Sequence, residues 1–270
     1  MDKLNITDNA SNGVTREQML ERWDLSDENK PIWKNYDYLC SISAKRLYGK
    51  KVGFVSDIGT RVVNLNGKTY HYEKVLNWIK YGVYTDTNNY LKSKYNITDK
   101  EFDKLRRTYN SISNRVRVDQ SYNGTVVDES FSTLDKFIGW CINQVGYEYY
   151  IDEYYNFHID KDILGDENNR KYGASNCVFV PNAVNAMAQT NKRAKYGKGV
   201  QYFDNRVKPY RAYIRIDGVS YGLGYYNTAD EANEQYRKAR QKQVNTLKER
   251  YKGMVDNRVW EGLMQEVFCR

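Results

Sequence analysis

Residues 154–185 read YYNFHIDKDILGDENNRKYGASNCVFVPNAVN. An aromatic and apolar run, Tyr154 through Ile159, leads into the acidic cluster Asp160, Asp162, Asp166 and Glu167. A polar loop follows. Cys177, Val178, Phe179 and Val180 then form a second short strand pattern. Pro181 is suited to open a helix, because the N–H it lacks has no partner at the first helical position. That helix carries Asn185. The predicted order is strand, loop, strand, helix.

This order, with Asn176-Cys177 before the second strand and Asn185 on the helix, resembles the ββα unit of HNH nucleases. Such units hold one divalent cation between strand and helix. The resemblance implies Mg²⁺ held by Asp160 or Asp162 together with Asn185. The family closes its first strand with a catalytic His, and here that position is Lys161. A charged Lys has three donors and no lone pair, so it cannot accept a proton from water. His158 lies three residues upstream, an odd offset that points to the opposite face of a strand. It replaces the missing base only if the strand bulges; otherwise it is a partly buried strand histidine.

A wider frame also carries a likeness. Phe137-x-x-Trp140-Cys141, the run 159–164, Cys177-x-Phe179-Val180-Pro181 and Asn185 follow one another in an order similar to that of a group of phage-encoded proteins. These join a degenerate HNH-like unit to a small sheet domain of the Apetala or ethylene-response-factor type, which also occurs in homing endonucleases. The likeness covers about residues 105–270. It implies double-stranded DNA as partner.

The chain of 270 residues carries a formal charge of +8 and has 26 Tyr and three Pro. With a mean hydropathy of −0.84 it is polar, yet its aromatic content belongs to a folded chain. Cations meet phosphates and rings stack on bases, so this balance suits nucleic acid. A preference for Lys, Asn and Tyr in AT-rich codons explains the bulk composition equally well, so the position of the charge decides. Cys40, Cys141, Cys177 and Cys269 form no C-x-x-C pair, which argues against a structural zinc. Cys141 and Cys177 read as small core residues. No apolar run of about 18 residues and no leader pattern occurs, so the expectation is a soluble protein of the host bacterial cytoplasm, without membrane contact.

The predicted class is α+β and multi-domain. Residues 1–30 are acidic, with seven Asp or Glu against four Lys or Arg. A short helix over 15–23 is expected there, with Met19, Leu20 and Trp23 on one side. Residues 31–83 read as a small α+β module: strands over 53–58 and 61–65, an Asn66-Gly67 hairpin, a return over 68–72, and a helix over 72–81. Its layout resembles the accessory modules that precede phage nucleases. His71 there reads as a packing or surface residue. Residues 84–97 are polar and read as a linker. Residues 98–191 form the helical plus ββα domain. A capping box, Thr98 to Glu101, starts a helix with Phe102, Leu105, Tyr109 and Ile112 inward and Lys104, Arg106, Arg107, Arg115 and Arg117 outward. A loop over 118–130 and a helix over 134–145 follow.

From Lys192 to Arg215 the chain has eight Lys or Arg and one acid, Asp204. Strands are predicted over 199–203, 210–216 and 219–226, with the last two joined by an Asp217-Gly218 hairpin turn. Thr228 and Glu231 cap a helix running towards Tyr251. Three strands and one helix over 198–252 are the Apetala-type layout. The likeness rests on Gly199-Val200, Ala212, Ile214, Leu223-Gly224, Thr228, Glu231-Ala232, Tyr236 and Ala239. By parity Ala212, Ile214 and Ile216 face the helix, leaving Arg211, Tyr213 and Arg215 outward with Gln201, Phe203 and Ser220. Such a sheet presents side chains to base edges and phosphates in a major groove. Arg206, Lys208, Lys192, Arg193 and Lys198 flank it as phosphate contacts. A cationic run over 237–252 adds flanking charge, and residues 253–270 form a last helix.

Three functions follow. The first is a double-stranded DNA-binding protein with a degenerate HNH-like unit. The second is a Mg²⁺-dependent nicking endonuclease of the homing type. The third is a phage factor that binds a host defence or transcription protein through residues 1–83.

Overall fold

The computed structural model describes residues 16–26, 32–33, 52–56, 59–65, 68–165, 170–188 and 195–269. Residues 1–15, Cys40, the Asn66-Gly67 turn, Asp166, Glu167, Lys192 and Arg193 lie outside the described residues. The chain is mixed α+β with several small sheets, most of them antiparallel, and divides into two units, Met1–Thr98 and Asp99–Arg270.

In the first unit, α1 (Arg16–Arg22) leads directly into β1 (Trp23–Asp24), which pairs with β2 (Ile32–Trp33). Strands β3 (Phe54–Val55), β4 (Arg61–Leu65) and β5 (Lys68–His71) form an antiparallel sheet, and α2 (Tyr72–Tyr81) follows. Met19, Trp23, Val63, Leu65, Val75 and Ile79 share one core. The described part of the acidic stretch is therefore not a separate segment, contrary to the expectation from sequence. Arg16 ties α1 to the open end of α2, donating from Nε to the Ile79 carbonyl at 2.7 Å. Leu20, expected inward, is exposed.

Residues 84–97 correct the linker expectation. They contain α3 (Thr87–Tyr95), whose N-cap Asp86 accepts from the Asn89 amide and whose C-cap Asn96 takes a left-handed conformation. Only Leu91 is buried on it, so no apolar stripe betrays the helix in the sequence.

The second unit begins with α4 (Asp99–Val118), which buries Phe102, Leu105 and Ile112 as expected. The predicted loop over 118–130 instead holds two 3-10 turns and β6 (Val126–Val127), which pairs in parallel with β8 (Lys171–Tyr172). Helices α5 (Leu134–Cys141) and α6 (Tyr147–Ile151) precede β7 (Phe157–Asp160). Strand β9 (Val178–Pro181) pairs antiparallel with β7 and is buried along its length. Pro181 thus ends a strand opposite Phe157, and α7 begins one residue later (Asn182–Ala188). Phe179 anchors this hairpin, stacked on Tyr150 with ring centroids 4.5 Å apart and tilted against Trp140 at 5.5 Å. Cys141 and Cys177 are buried free thiols, and burial pushes the Cys177 pKa up to about 12.

Strands β10 (Val200–Tyr202), β11 (Tyr210–Ile216) and β12 (Val219–Tyr226) form an antiparallel sheet in that order. Asp217 and Gly218 turn the hairpin with φ of 51° and 81°, the two positive values a tight two-residue turn demands. Helix α8 (Ala229–Arg250) packs on one face of the sheet, and α9 (Asn257–Cys269) packs back on α8. Both halves of the capping box are formed, with the Thr228 hydroxyl accepting from the Glu231 amide at 3.2 Å and Glu231 accepting from the Asn227 and Thr228 amides. Thr228→Ala is expected to cost about 1 kcal/mol, read as a lower urea midpoint at an unchanged denaturant slope.

Candidate nucleic-acid interface

Ala212 and Ile214 are buried towards α8 together with Val200 and Ala232. The opposite face of the sheet carries Gln201, Arg211, Tyr213, Arg215 and Ser220, as the alternation predicts. Gln201, Arg215 and Ser220 are exposed, and Arg211 and Tyr213 are half-buried. Ile216 departs from the prediction, being 36% exposed at the end of its strand.

The pairing of β11 with β12 contains a bulge. Ala212 lies opposite Gly224 but Tyr213 lies opposite Gly222, so Leu223 is an extra residue. A bulge resets the side-chain alternation beyond it. Tyr225 therefore lies opposite Arg211 and joins the outer face, a placement that simple alternation misses. The signal for it is the Leu223-Gly224 pair: Gly224 takes a φ of 124°, which few other residues adopt. Gly222 serves the same face differently. The Arg211 guanidinium lies across it, 3.6 Å from where a Cβ would stand, an ordinary contact distance.

At the margin, the Arg206 guanidinium sits 4.4 Å from the Tyr225 ring centroid and 5.8 Å from that of Phe203. Stacking of this kind holds the guanidinium while leaving its N–H edge free to donate. Lys208 is exposed in the loop between β10 and β11. Arg206, Lys208, Arg211 and Arg215 make no ion pair among the described residues. Cations left without acidic partners on one face are available to an external anion. Lys198 lies just ahead of β10.

The cationic stretch on α8 does not act as one surface. Arg240 is 8% exposed and donates to the Met187 carbonyl at the end of α7 and to the Gln243 side chain at 3.0 Å. It joins α7 to α8 and is not a phosphate contact. Arg115 on α4 is partly desolvated, and the neighbouring Tyr122 and Tyr172 hydroxyls favour its charged form. Lys104 lies over the Tyr150 ring at 4.7 Å, and Arg106 pairs with Asp103 at 3.2 Å.

The strand, loop, strand and helix of β7, β9 and α7 occur in the predicted order. Their polar residues have definite employment. Asp160 is buried, and its Oδ1 accepts from the Asp162 and Ile163 amides, each at 2.8 Å. Desolvation raises its pKa, partly offset by those two N–H groups. Lys161 is 5% exposed; its ammonium donates to Asp162 Oδ1 at 2.6 Å and lies 5.3 and 5.6 Å from the Tyr122 and Tyr172 ring centroids. His158 stands on the exposed side of β7. Partial desolvation, and secondly the Lys104 charge, lower its pKa and keep the ring neutral at pH 7. Asn185 is half-buried on α7, and no hydrogen bond joins it to Asp160 or Asp162 among the described residues. No cluster of three His, Cys, Asp or Glu side chains suited to a metal occurs among the described residues.

The chain matches no protein-family model, no curated protein and no solved structure. Among the described residues no helix is long and apolar enough to cross a membrane.

Proposed function

We propose that this chain binds double-stranded DNA with the outer face of its β10–β11–β12 sheet. One observation carries the reading: Arg206, Arg211 and Arg215 lie beside Tyr213 and Tyr225 on a sheet face whose cations have no acidic partner among the described residues. A backing helix, a narrow sheet and projecting Arg side chains suit insertion into a major groove, with Arg reaching base edges or phosphates. In this reading the sheet and α8 are an Apetala-type domain. The hairpin β7–β9 with α7 is an HNH-like unit that has lost its acid–base function. Lys161, at the position of the family's His, is a buried cation held by Asp162, and His158 points away on the exposed side. These features favour a binding role over the nicking endonuclease.

Arg211→Ala combined with Arg215→Ala is expected to weaken binding to a random-sequence duplex about 10- to 100-fold. If both arginines meet phosphates, the slope of log K against log salt becomes less steep by about 2. Fluorescence anisotropy across about 50 to 200 mM salt measures both. An unchanged affinity and slope would exclude this face. A parallel plasmid assay tests the rival. Mg²⁺-dependent nicking that disappears in both His158→Ala and Asn185→Ala would establish the endonuclease instead.

A further inference from the structure

The sheet has a second usable surface, towards α8 and the hairpin turn. Ile214 pairs with Tyr221, and Ile216 with Val219, so these side chains turn towards α8. Near the hairpin turn the helix no longer covers them. Ile216 is 36% and Tyr221 is 52% exposed. Between this end of the sheet, α7 and the C-terminal half of α8 lies a cleft of about 990 Å³. Clefts that bind ligands or partner side chains reach about this size.

The walls of the cleft differ in chemistry. Ile214, Ile216, Tyr221 and Leu223 make an apolar sheet wall, and Ala183 and Ala186 of α7 keep the opposite side open. On α8, Lys242, Thr246 and Arg250 fall four residues apart and so form one stripe. Lys242 and Arg250 are exposed and make no ion pair among the described residues. Asp217 is the sole carboxylate among the described residues that line the cleft.

The geometry points to this cleft as the docking site for an acidic amphipathic α-helix of a partner protein. Apolar side chains at i, i+3, i+4 and i+7 rest on the Ile216 and Tyr221 wall. Carboxylates on the flank of the same helix meet Lys242 and Arg250, which stand about two helical turns apart. Charge complementarity sets the sign of the partner. A nucleic-acid backbone would satisfy the cations but leave the apolar wall uncovered, whereas exposed apolar surface rimmed by polar groups is a protein-docking feature. Tyr213 and Arg215 of β11 also line the cleft, so it adjoins the outer face along this strand. The site goes beyond the DNA-binding reading and does not depend on it.

The test uses the full chain and a fluorescein-labelled helical peptide with Leu at i, i+3, i+4 and i+7 and Glu elsewhere. The control peptide has Lys in place of every Glu. The acidic peptide is expected to bind saturably and the basic one not. Lys242→Ala with Arg250→Ala is expected to weaken peptide binding by at least about 10-fold, since two charge-assisted contacts are lost. Ile216→Glu with Tyr221→Glu is expected to abolish it. The Lys242 and Arg250 positions are exposed on a helix, so that variant tests the site even where the sheet variant unfolds. Absence of binding, equal binding of the basic peptide, or indifference to the Lys242 and Arg250 changes overturns the proposal. A fall in duplex affinity in that variant as large as for Arg211→Ala with Arg215→Ala assigns the cleft to DNA. A dimer seen by analytical ultracentrifugation and lost in Ile216→Glu assigns it to a second copy. Either result also overturns it.

Discussion

Gly199→Ala is expected to destabilise the second unit by about 2 to 5 kcal/mol. Two separate costs add here. Gly199 has a φ of 68°, a left-handed value that costs a residue with a Cβ about 1–2 kcal/mol. The new methyl would also lie 2.2 Å from a Tyr236 ring carbon and 2.5 Å from the Tyr213 carbonyl oxygen. The ring could turn aside, but the carbonyl belongs to β11, whose Tyr213 amide donates to the Gly199 carbonyl at 2.8 Å. Overpacking against fixed neighbours costs about 1–3 kcal/mol more. Gly218→Ala is the control, because Gly218 has a φ of 81° and its new methyl would meet nothing within 4 Å. It should show the backbone cost alone, about 1–2 kcal/mol. Urea unfolding monitored by tyrosine fluorescence compares the two. Equal losses would mean that the close approach of α8 to the sheet edge is not what Gly199 secures. The result bears on function too, since β10 holds Gln201 beside Arg211 on the outer face.

The parts of the fold that were legible in the sequence are those fixed by local chemistry. Asp217-Gly218 and the Thr228–Glu231 box each determine their own turn or cap within four residues. The alternation along 210–216 places Ala212 and Ile214 inward and Arg211, Tyr213 and Arg215 outward, because that period is a property of the strand itself. What escaped depends on partners distant in sequence or on one-residue irregularities. The pairing of Val126 with Lys171 joins two-residue strands across a long separation and has no local signature. Tyr225 was hidden by the bulge at Leu223. Helix α3 lacks an apolar stripe, although Asp86 before it and Asn96 after it are ordinary capping residues. Arg240 looked like one more cation on a basic helix; only the position of the Met187 carbonyl makes it structural. Ile216 was placed on the correct side of its strand, but its exposure depends on where α8 diverges from the sheet, which alternation does not contain.

Lys161→Ala is expected to cost about 3 kcal/mol, and Lys161→Met less than about 1. The side chain is 5% exposed and lies against the Tyr122 and Tyr172 rings, themselves stacked at 6.3 Å. Truncation to Ala removes the stem and leaves a cavity, which costs about 2–5 kcal/mol for a side chain of this length. Met keeps a chain of similar length, and its sulfur makes favourable contacts with aromatic rings. The ammonium itself then contributes little net stability. Its ion-pair partner Asp162 has 65% of its side chain exposed and can be hydrated once the Lys charge is gone. Lys161 lies over the Tyr122 and Tyr172 rings and its hydrogen bond goes to Asp162, so its loss orphans neither tyrosine hydroxyl. Replacing a buried pair by an apolar group of similar volume is often neutral or stabilising, whereas leaving one charge unpaired is costly. Thermal unfolding of both variants, with duplex affinity measured in parallel, tests this account. If Lys161→Met proves as damaging as Lys161→Ala, the charge matters and not the stem. If Lys161→Met keeps its stability but loses DNA affinity or a Mg²⁺-dependent activity, Lys161 takes part in function, and the view of this loop as a structural remnant fails.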